Sequence, residues 1–552
     1  MFRRVSLVAL SALLAVVAPV ALAAKKTVCT ITVNSSDERE MFRRSLPSGD
    51  FDFVELVEHG RPDWLASACR KGVTCDVLLI SGHFDDGTEF YSDRLDRREH
   101  LPVDEMERVS CSDSCPGLFS QLKEVYLFGC NTLNADALKY SSPEIERSLV
   151  RAGRSQADAA QLARLLDAKH GESNRDRMRL VFKDVPVIYG FSSKAPLGPS
   201  AATVLDRYFQ TGGAGEVAAG RPSAKLLALF APVSMTATAG LGNADLQSTH
   251  RADVCRFADD RQSTAQKTGF VHELMGRDVA EVRMFLDRIE RQASAASNEA
   301  PRSPDVARAL AAIASDTAAR DRYMALARDA DLLATRVRML EVARQVGWLA
   351  AADEPAALVR VLGDHVEHNV AGPEDVDLAC RLNGDGRLSA AARMMPVATS
   401  EPGKTGAAAV LACLGRDEHR PRVLRALTST DDADVELAQV YLARRPIGDA
   451  GELRDVTLGI TQMRVAAAQV RALDTLAGLR PSDRASLDAL TRLFPRTRSL
   501  LVQRAIAGVL IRTDYQAIAS ADVVRALRQS RVKSPDGDDL IDVLIRRLQA
   551  SS

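Results

Sequence analysis

Two side chains near the N-terminus are of types that do nucleophilic chemistry, and they stand at matching places. His83 ends the run Cys75-Asp76-Val77-Leu78-Leu79-Ile80-Ser81-Gly82-His83-Phe84, and Cys130 ends the run Glu124-Val125-Tyr126-Leu127-Phe128-Gly129-Cys130-Asn131-Thr132. A thiolate attacks carbonyl carbon, an imidazole takes the thiol proton, and N–H donors receive the oxyanion that forms. Such a pair need not be adjacent in sequence; 47 positions separate these two, close to the roughly 50 of one known arrangement. The backbone N–H of Cys130 and that of a residue beside His83 are the candidate oxyanion donors. Gly82 and Gly129 let the backbone pass close to a substrate.

Competing readings stand beside this one. A cysteine at a strand end is commonly a small core residue. His59, followed by Gly60, also ends an apolar run, Phe53 to Val57, but its run is less apolar and lies farther from Cys130 along the chain. Asp85 and Asp86 read either as a solvated turn or as the lining of a pocket for a basic side chain. Asn383-Gly384-Asp385-Gly386 has the look of a calcium loop, yet Arg381 and Ala392 occupy the end positions where acids are needed. His365 and His368 lie three apart on a predicted helix with no third ligand nearby. Neither place is expected to hold a metal.

The elements that must position His83 and Cys130 follow from apolar patterning. Both runs are short, nearly continuous and rich in Val, Ile, Leu and aromatics, as buried strands of a parallel sheet are. Around them the order is strand (Thr27 to Val33), helix (Ser36 to Leu46), strand (Phe51 to Val57), helix (Pro62 to Arg70), strand (Cys75 to Ser81). This alternation predicts an α/β fold, a mostly parallel sheet with helices on both faces. Ligands in such sheets bind beyond the carboxyl ends of the strands, where His83 and Cys130 fall. A short strand over Thr88 to Ser92 and a polar stretch with Cys111 and Cys115 come next. Helices through Pro143 to Asp167 and Arg175 to Phe182, a strand over Val185 to Phe191 and a helix over Ala201 to Phe209 follow. Lys225 to Pro232 reads as helix or strand, Glu273 to Gln292 as one helix, and Ser294 to Ser303 as a linker.

From Pro304 strand signals vanish and short helices repeat to the end. Val435 to Pro446, Val470 to Pro481 and Val502 to Thr513 look alike, at a spacing of roughly 35 residues, as in HEAT-like paired-helix arrays that present a surface to protein partners. The expected organisation is a signal peptide (1–23), an α/β domain (24–213), a mostly helical connection (214–300) and an all-α helical-repeat domain (301–552).

Arg3 and Arg4, the apolar stretch Val5 to Ala18 and Ala21-Leu22-Ala23 form a secretory signal, the alternative being a short uncleaved anchor. The expected location is therefore periplasmic or secreted. Lys plus Arg is 72 and Asp plus Glu 73, a net charge of -1 that gives no reason to expect nucleic acid or an anionic membrane. Nine cysteines in an exported chain imply disulfides with one thiol left over. Proximity suggests Cys111 with Cys115, Cys69 with Cys75, Cys380 with Cys413 and, by remainder, Cys29 with Cys255, leaving Cys130 free; sequence alone does not establish connectivity.

At Val77-Leu78-Leu79-Ile80-Ser81-Gly82-His83 and Val125-Tyr126-Leu127-Phe128-Gly129-Cys130 the chain resembles the caspase-like cysteine peptidases, the clan of caspases, gingipains, legumains and the CHAT family. The run Val185 to Phe191 and the later Tyr208-Phe209 resemble the CHAT family in particular. The likeness spans about residues 27 to 213, and Phe84 stands where the family usually has glycine. It implies that His83 and Cys130 form a catalytic dyad hydrolysing peptide bonds without metal or cofactor. The expected function is an exported cysteine endopeptidase whose repeats recruit a protein substrate or partner. The alternative is an inactive caspase-like scaffold that binds through its repeats.

Overall fold

In a computed structural model, the described residues are 24–551 except 85–86, 95–98, 113–114, 116, 137–140, 395–403, 514–517, 519 and 535–538. The signal stretch and the pair Asp85, Asp86 lie outside them. Two compact units are formed. One takes the chain up to Ser142 together with Gln161–Ser263; the other takes Pro143–Ala160 together with Thr264–Ser552.

In the first unit the chain runs β1 (Lys26–Thr32), α1 (Asp37–Ser45), β2 (Phe51–Glu55), α2 (Trp64–Arg70) and β3 (Val77–Ser81). A two-stranded ribbon, β4 (Glu89–Tyr91) with β5 (His100–Pro102), leads into α3 (Val103–Cys111) and then β6 (Glu124–Phe128). Helix α4 (Ser141–Arg151), from Pro143 on, and the start of α5 (Gln156–His170), as far as Ala160, belong to the second unit; the rest of α5 and α6 (Asn174–Val181) return to the first and precede β7 (Val187–Phe191). Helices α7 (Gly198–Gln210) and α8 (Ala224–Phe230), strand β8 (Met235–Thr238) and α9 (Ser248–Ala258) complete the unit. The sheet order is β2-β1-β3-β6-β7-β8, parallel except for β8.

The central strands are buried throughout because each face has its own cover. Leu78, Ile80, Val125 and Leu127 pack with Trp64 and Leu65 of α2, Met106 of α3 and Met178 of α6. Val77, Leu79, Tyr126 and Phe128 pack on the other side with Phe42 of α1, Leu205 of α7 and Phe230 of α8. Side chains alternate faces along a strand, so apolar residues at every position require helices on both sides.

Several sequence expectations are corrected. The polar stretch before Cys115 contains α3, whose apolar residues Val103, Met106 and Val109 share one buried face. Lys225 to Pro232 is helical over α8, and the edge strand β8 after it carried no clear signal. The single helix over Glu273 to Gln292 is three: Thr264–Met275, Val279–Met284 and Leu286–Asn298. Asp278 restarts the chain by accepting the Ala280 N–H, an N-cap in the middle of an apolar pattern. The disulfides are Cys29–Cys75, Cys69–Cys115, Cys111–Cys255 and Cys380–Cys413. Proximity in sequence misled for three of these. Cys29 and Cys75 meet because β1 and β3 are hydrogen-bonded neighbours, and Cys111, at the end of α3, faces α9. All nine cysteines are accounted for, with Cys130 free; disulfides in this number are a mark of an oxidising compartment.

Glu124 fastens the far edge of this core. It is fully buried and accepts the Tyr126 hydroxyl at 2.7 Å and the N–H groups of Ala219 and Gly220 at 2.9 and 3.1 Å. Glu124→Ala strands the buried Tyr126 hydroxyl and releases two part-buried N–H groups, so a loss of about 1–3 kcal/mol is expected in urea unfolding. A loss below about 1 kcal/mol would show that water replaces the carboxylate.

The second unit is helical. Helices Ala466–Leu479, Leu500–Arg512 and Leu540–Ser551 pack in succession, and Ala450–Gln462 packs on Arg484–Leu493. Buried Gln469 and Gln503 occupy equivalent places, donating to the Ile460 and Phe494 carbonyls that end the preceding helices. No helix among the described residues is long and apolar enough to cross a membrane.

Candidate active site

Strands β1, β3 and β6 end side by side, and the loops leaving them surround one pocket of about 60 Å³. Its walls are Asn34, Ser35 and Glu38 after β1, Ser81 to His83 at the end of β3, Phe128 to Cys130 at the end of β6, and Ala195 to Gly198 at the start of α7 and just before it. His83 and Cys130 therefore line the same pocket, at the carboxyl end of a parallel sheet, as strand adjacency requires. His59 does not reach it: that side chain is 55% exposed and lies 3.3 Å from Glu99.

The Cys130 side chain is half-buried, and its Sγ receives the Ala195 N–H at 3.3 Å. The residue after it turns sharply. Asn131 has φ +58°, a left-handed conformation uncommon outside glycine. Its N–H donates to the Ser193 carbonyl at 2.7 Å, and its carbonyl accepts from Nδ2 of buried Asn174 at 2.9 Å. Buried Thr132 ties the same turn to β7, its hydroxyl donating to the Gly129 carbonyl and accepting the Phe191 N–H. These bonds fix the direction in which Cys130 leaves the strand.

His83 is held by its backbone, which exchanges two hydrogen bonds of 3.0 Å with Tyr91 on β4. Its ring lies over the Tyr91 ring, centroids 5.3 Å apart. Nε2 comes within 3.3 Å of the Asp93 carboxylate yet makes no hydrogen bond. The distance is that of an ion pair and the alignment is not that of a hydrogen bond, so Asp93, itself 69% exposed, is a loose neighbour of the ring. The N–H groups of Gly82 and His83 are committed, to the Phe128 and Tyr91 carbonyls. The Cys130 and Phe84 N–H groups make no backbone hydrogen bond among the described residues. Phe84 itself is buried against Phe90, their rings 4.6 Å apart.

Glu38 is the pocket residue that sequence reading missed. It was legible only as an acid in the first turn of a helix, which is its place in α1. In the fold it is 2% exposed and accepts the Ser81 hydroxyl at 2.9 Å, two residues from His83. Burial pushes its carboxyl above the ordinary value of 4.5, and neighbouring Asp37 adds to this, while its own backbone N–H and the Ser81 hydroxyl act the other way. A raised folded value means that folding favours the protonated form. That contribution is fully present below the unfolded value and is lost as pH rises through the folded one. Glu38→Gln is therefore expected to gain stability relative to the parent as pH rises from 4 to 7.5. Paired urea titrations whose difference stays constant with pH would remove this account.

The other sequence candidates have structural partners. His365 lies 3.2 Å from Asp375, and His368 bonds the Asp364 carbonyl. Asn383 is buried, donating to the Cys413 carbonyl and accepting the Leu388 N–H, and these bonds fix the loop's form. Among the described residues no group of three His, Cys, Asp or Glu side chains is placed to hold a metal ion. No family model, curated protein or solved structure matches this chain.

Proposed function

We propose that this chain is an exported cysteine peptidase of the caspase-like, CHAT-like kind. The observation that carries the reading is the distribution of sulfur: eight of nine cysteines are in disulfides, and the free one lines a pocket with His83 at the carboxyl end of the sheet. In this reading His83 takes the Cys130 proton, and Sγ attacks the scissile carbonyl carbon. The Cys130 and Phe84 N–H groups are the candidate donors to the oxyanion. The C–N bond then breaks as His83 protonates the leaving amine, giving a thioester. Water, deprotonated by His83, cleaves the thioester and regenerates the thiol.

The helical unit resembles HEAT-like arrays in its stacked helix pairs, and in this reading it recruits the protein substrate or a partner. The location is periplasmic or secreted. The test is a thiol-reactive peptidyl probe applied to the oxidised protein under native conditions. One label is expected, on Cys130, absent in Cys130→Ala and strongly slowed in His83→Ala. Equal labelling of parent and His83→Ala would instead favour a scaffold with an incidental thiol.

A further inference from the structure

A buried carboxylate normally has a cation beside it, because the cost of taking its charge out of water is otherwise uncompensated. Glu38 has none. The groups acting on it are its own backbone, Ser81, Ser35 and Asp37, and the last of these is repulsive. The first turn of α1 offers partial compensation through its free N–H groups. The carboxylate nevertheless remains 2% exposed, in the wall of the pocket that holds the free thiol.

We propose that Glu38 is the specificity residue of this pocket and that it selects peptides presenting a cationic side chain, arginine or lysine, next to the scissile bond. The proposal rests on reading the pocket as that of a cysteine peptidase. A guanidinium or ammonium entering from solvent supplies the missing counter-charge. A neutral side chain leaves the carboxylate as it was, and an acidic one adds a second negative charge beside Glu38 and Asp37. Discrimination of this kind acts through the charge itself, so shape-matched neutral analogues should be rejected.

The experiment compares two peptidyl acyloxymethyl ketones on the full chain, Ala-Ala-Arg and its neutral isostere Ala-Ala-citrulline, with the same leaving group. In each, Cys130 Sγ forms a bond to the methylene carbon, the C–O bond breaks, the carboxylate departs with the electron pair, and the thiol proton passes to His83. The arginine probe is expected to label about 10- to 100-fold faster, and Glu38→Gln to bring the ratio to about one. Equal rates in the parent, or an unchanged ratio in Glu38→Gln, overturn the proposal and leave the peptidase reading intact. Labelling by neither probe while iodoacetamide still alkylates Cys130 overturns both.

Should Glu38→Gln fail to fold, the parent alone answers. The arginine-to-citrulline ratio is expected to climb as pH rises and the Glu38 carboxyl, held above its ordinary value by burial, ionises. A flat ratio is the contrary result.

Discussion

Cys130→Ala is expected to lower kcat/KM for peptide hydrolysis by at least about 10⁴-fold, and His83→Ala by about 10²- to 10⁴-fold. The two losses should not add. With the sulfur gone, the imidazole has no thiol to deprotonate, so the double variant should be no slower than Cys130→Ala. Additive losses would mean that the two side chains act separately, and the dyad assignment would fall. Stability supplies the control. Cys130 is half-buried and outside every disulfide, so its truncation should leave the urea midpoint nearly unchanged.

The second large effect is expected at Gly129. A Cβ built there would sit 2.9 Å from the Gly82 carbonyl oxygen, 2.9 Å from Phe84 Cβ and 3.0 Å from Phe90 Cε1. Two of these contacts are with the chain on either side of His83, so relief comes only by moving the end of β3 away from the end of β6. That movement separates the imidazole from the sulfur. A misplacement near 1 Å costs about 10²-fold in rate, and overpacking costs about 1–3 kcal/mol in stability. Gly129→Ala should therefore show both losses. Gly406→Ala is the matched control: its Cβ would meet the Ala371 carbonyl oxygen at 2.1 Å in the helical unit. It should destabilise that unit and leave probe labelling of Cys130 intact. Equal loss of labelling in both variants would attribute the Gly129 effect to unfolding instead of geometry.

Glu38 links stability to specificity. Burial disfavours its charged form, so ionisation works against folding as pH rises, and Glu38→Gln is expected to relieve that cost while abolishing the proposed preference for a cationic side chain. Stability and function pull in opposite directions at one residue, as they often do in a binding pocket.

Sequence by itself determined the parts of this protein whose signal is local. The unbroken apolar runs at Val77–Ser81 and Glu124–Phe128 required strands covered on both faces, and their ends placed His83 and Cys130 at one rim of the sheet. The odd number of cysteines required an unpaired thiol, and Cys130 is that thiol. Local signals could not say which sulfurs pair. Cys29 finds Cys75 because β3 lies beside β1, and Cys69 and Cys111 part company although each has a nearer cysteine along the chain. Glu38 belongs to the same class. An acid at a helix start is ordinarily solvated; here α1 packs the sheet end so closely that the carboxylate is enclosed beside Ser81 and faces the thiol's pocket. Strand propensity and side-chain alternation act over a few residues and can be read along the chain. Enclosure, pairing and the approach of Gly129 to Gly82 arise only when segments distant in sequence share one packed volume.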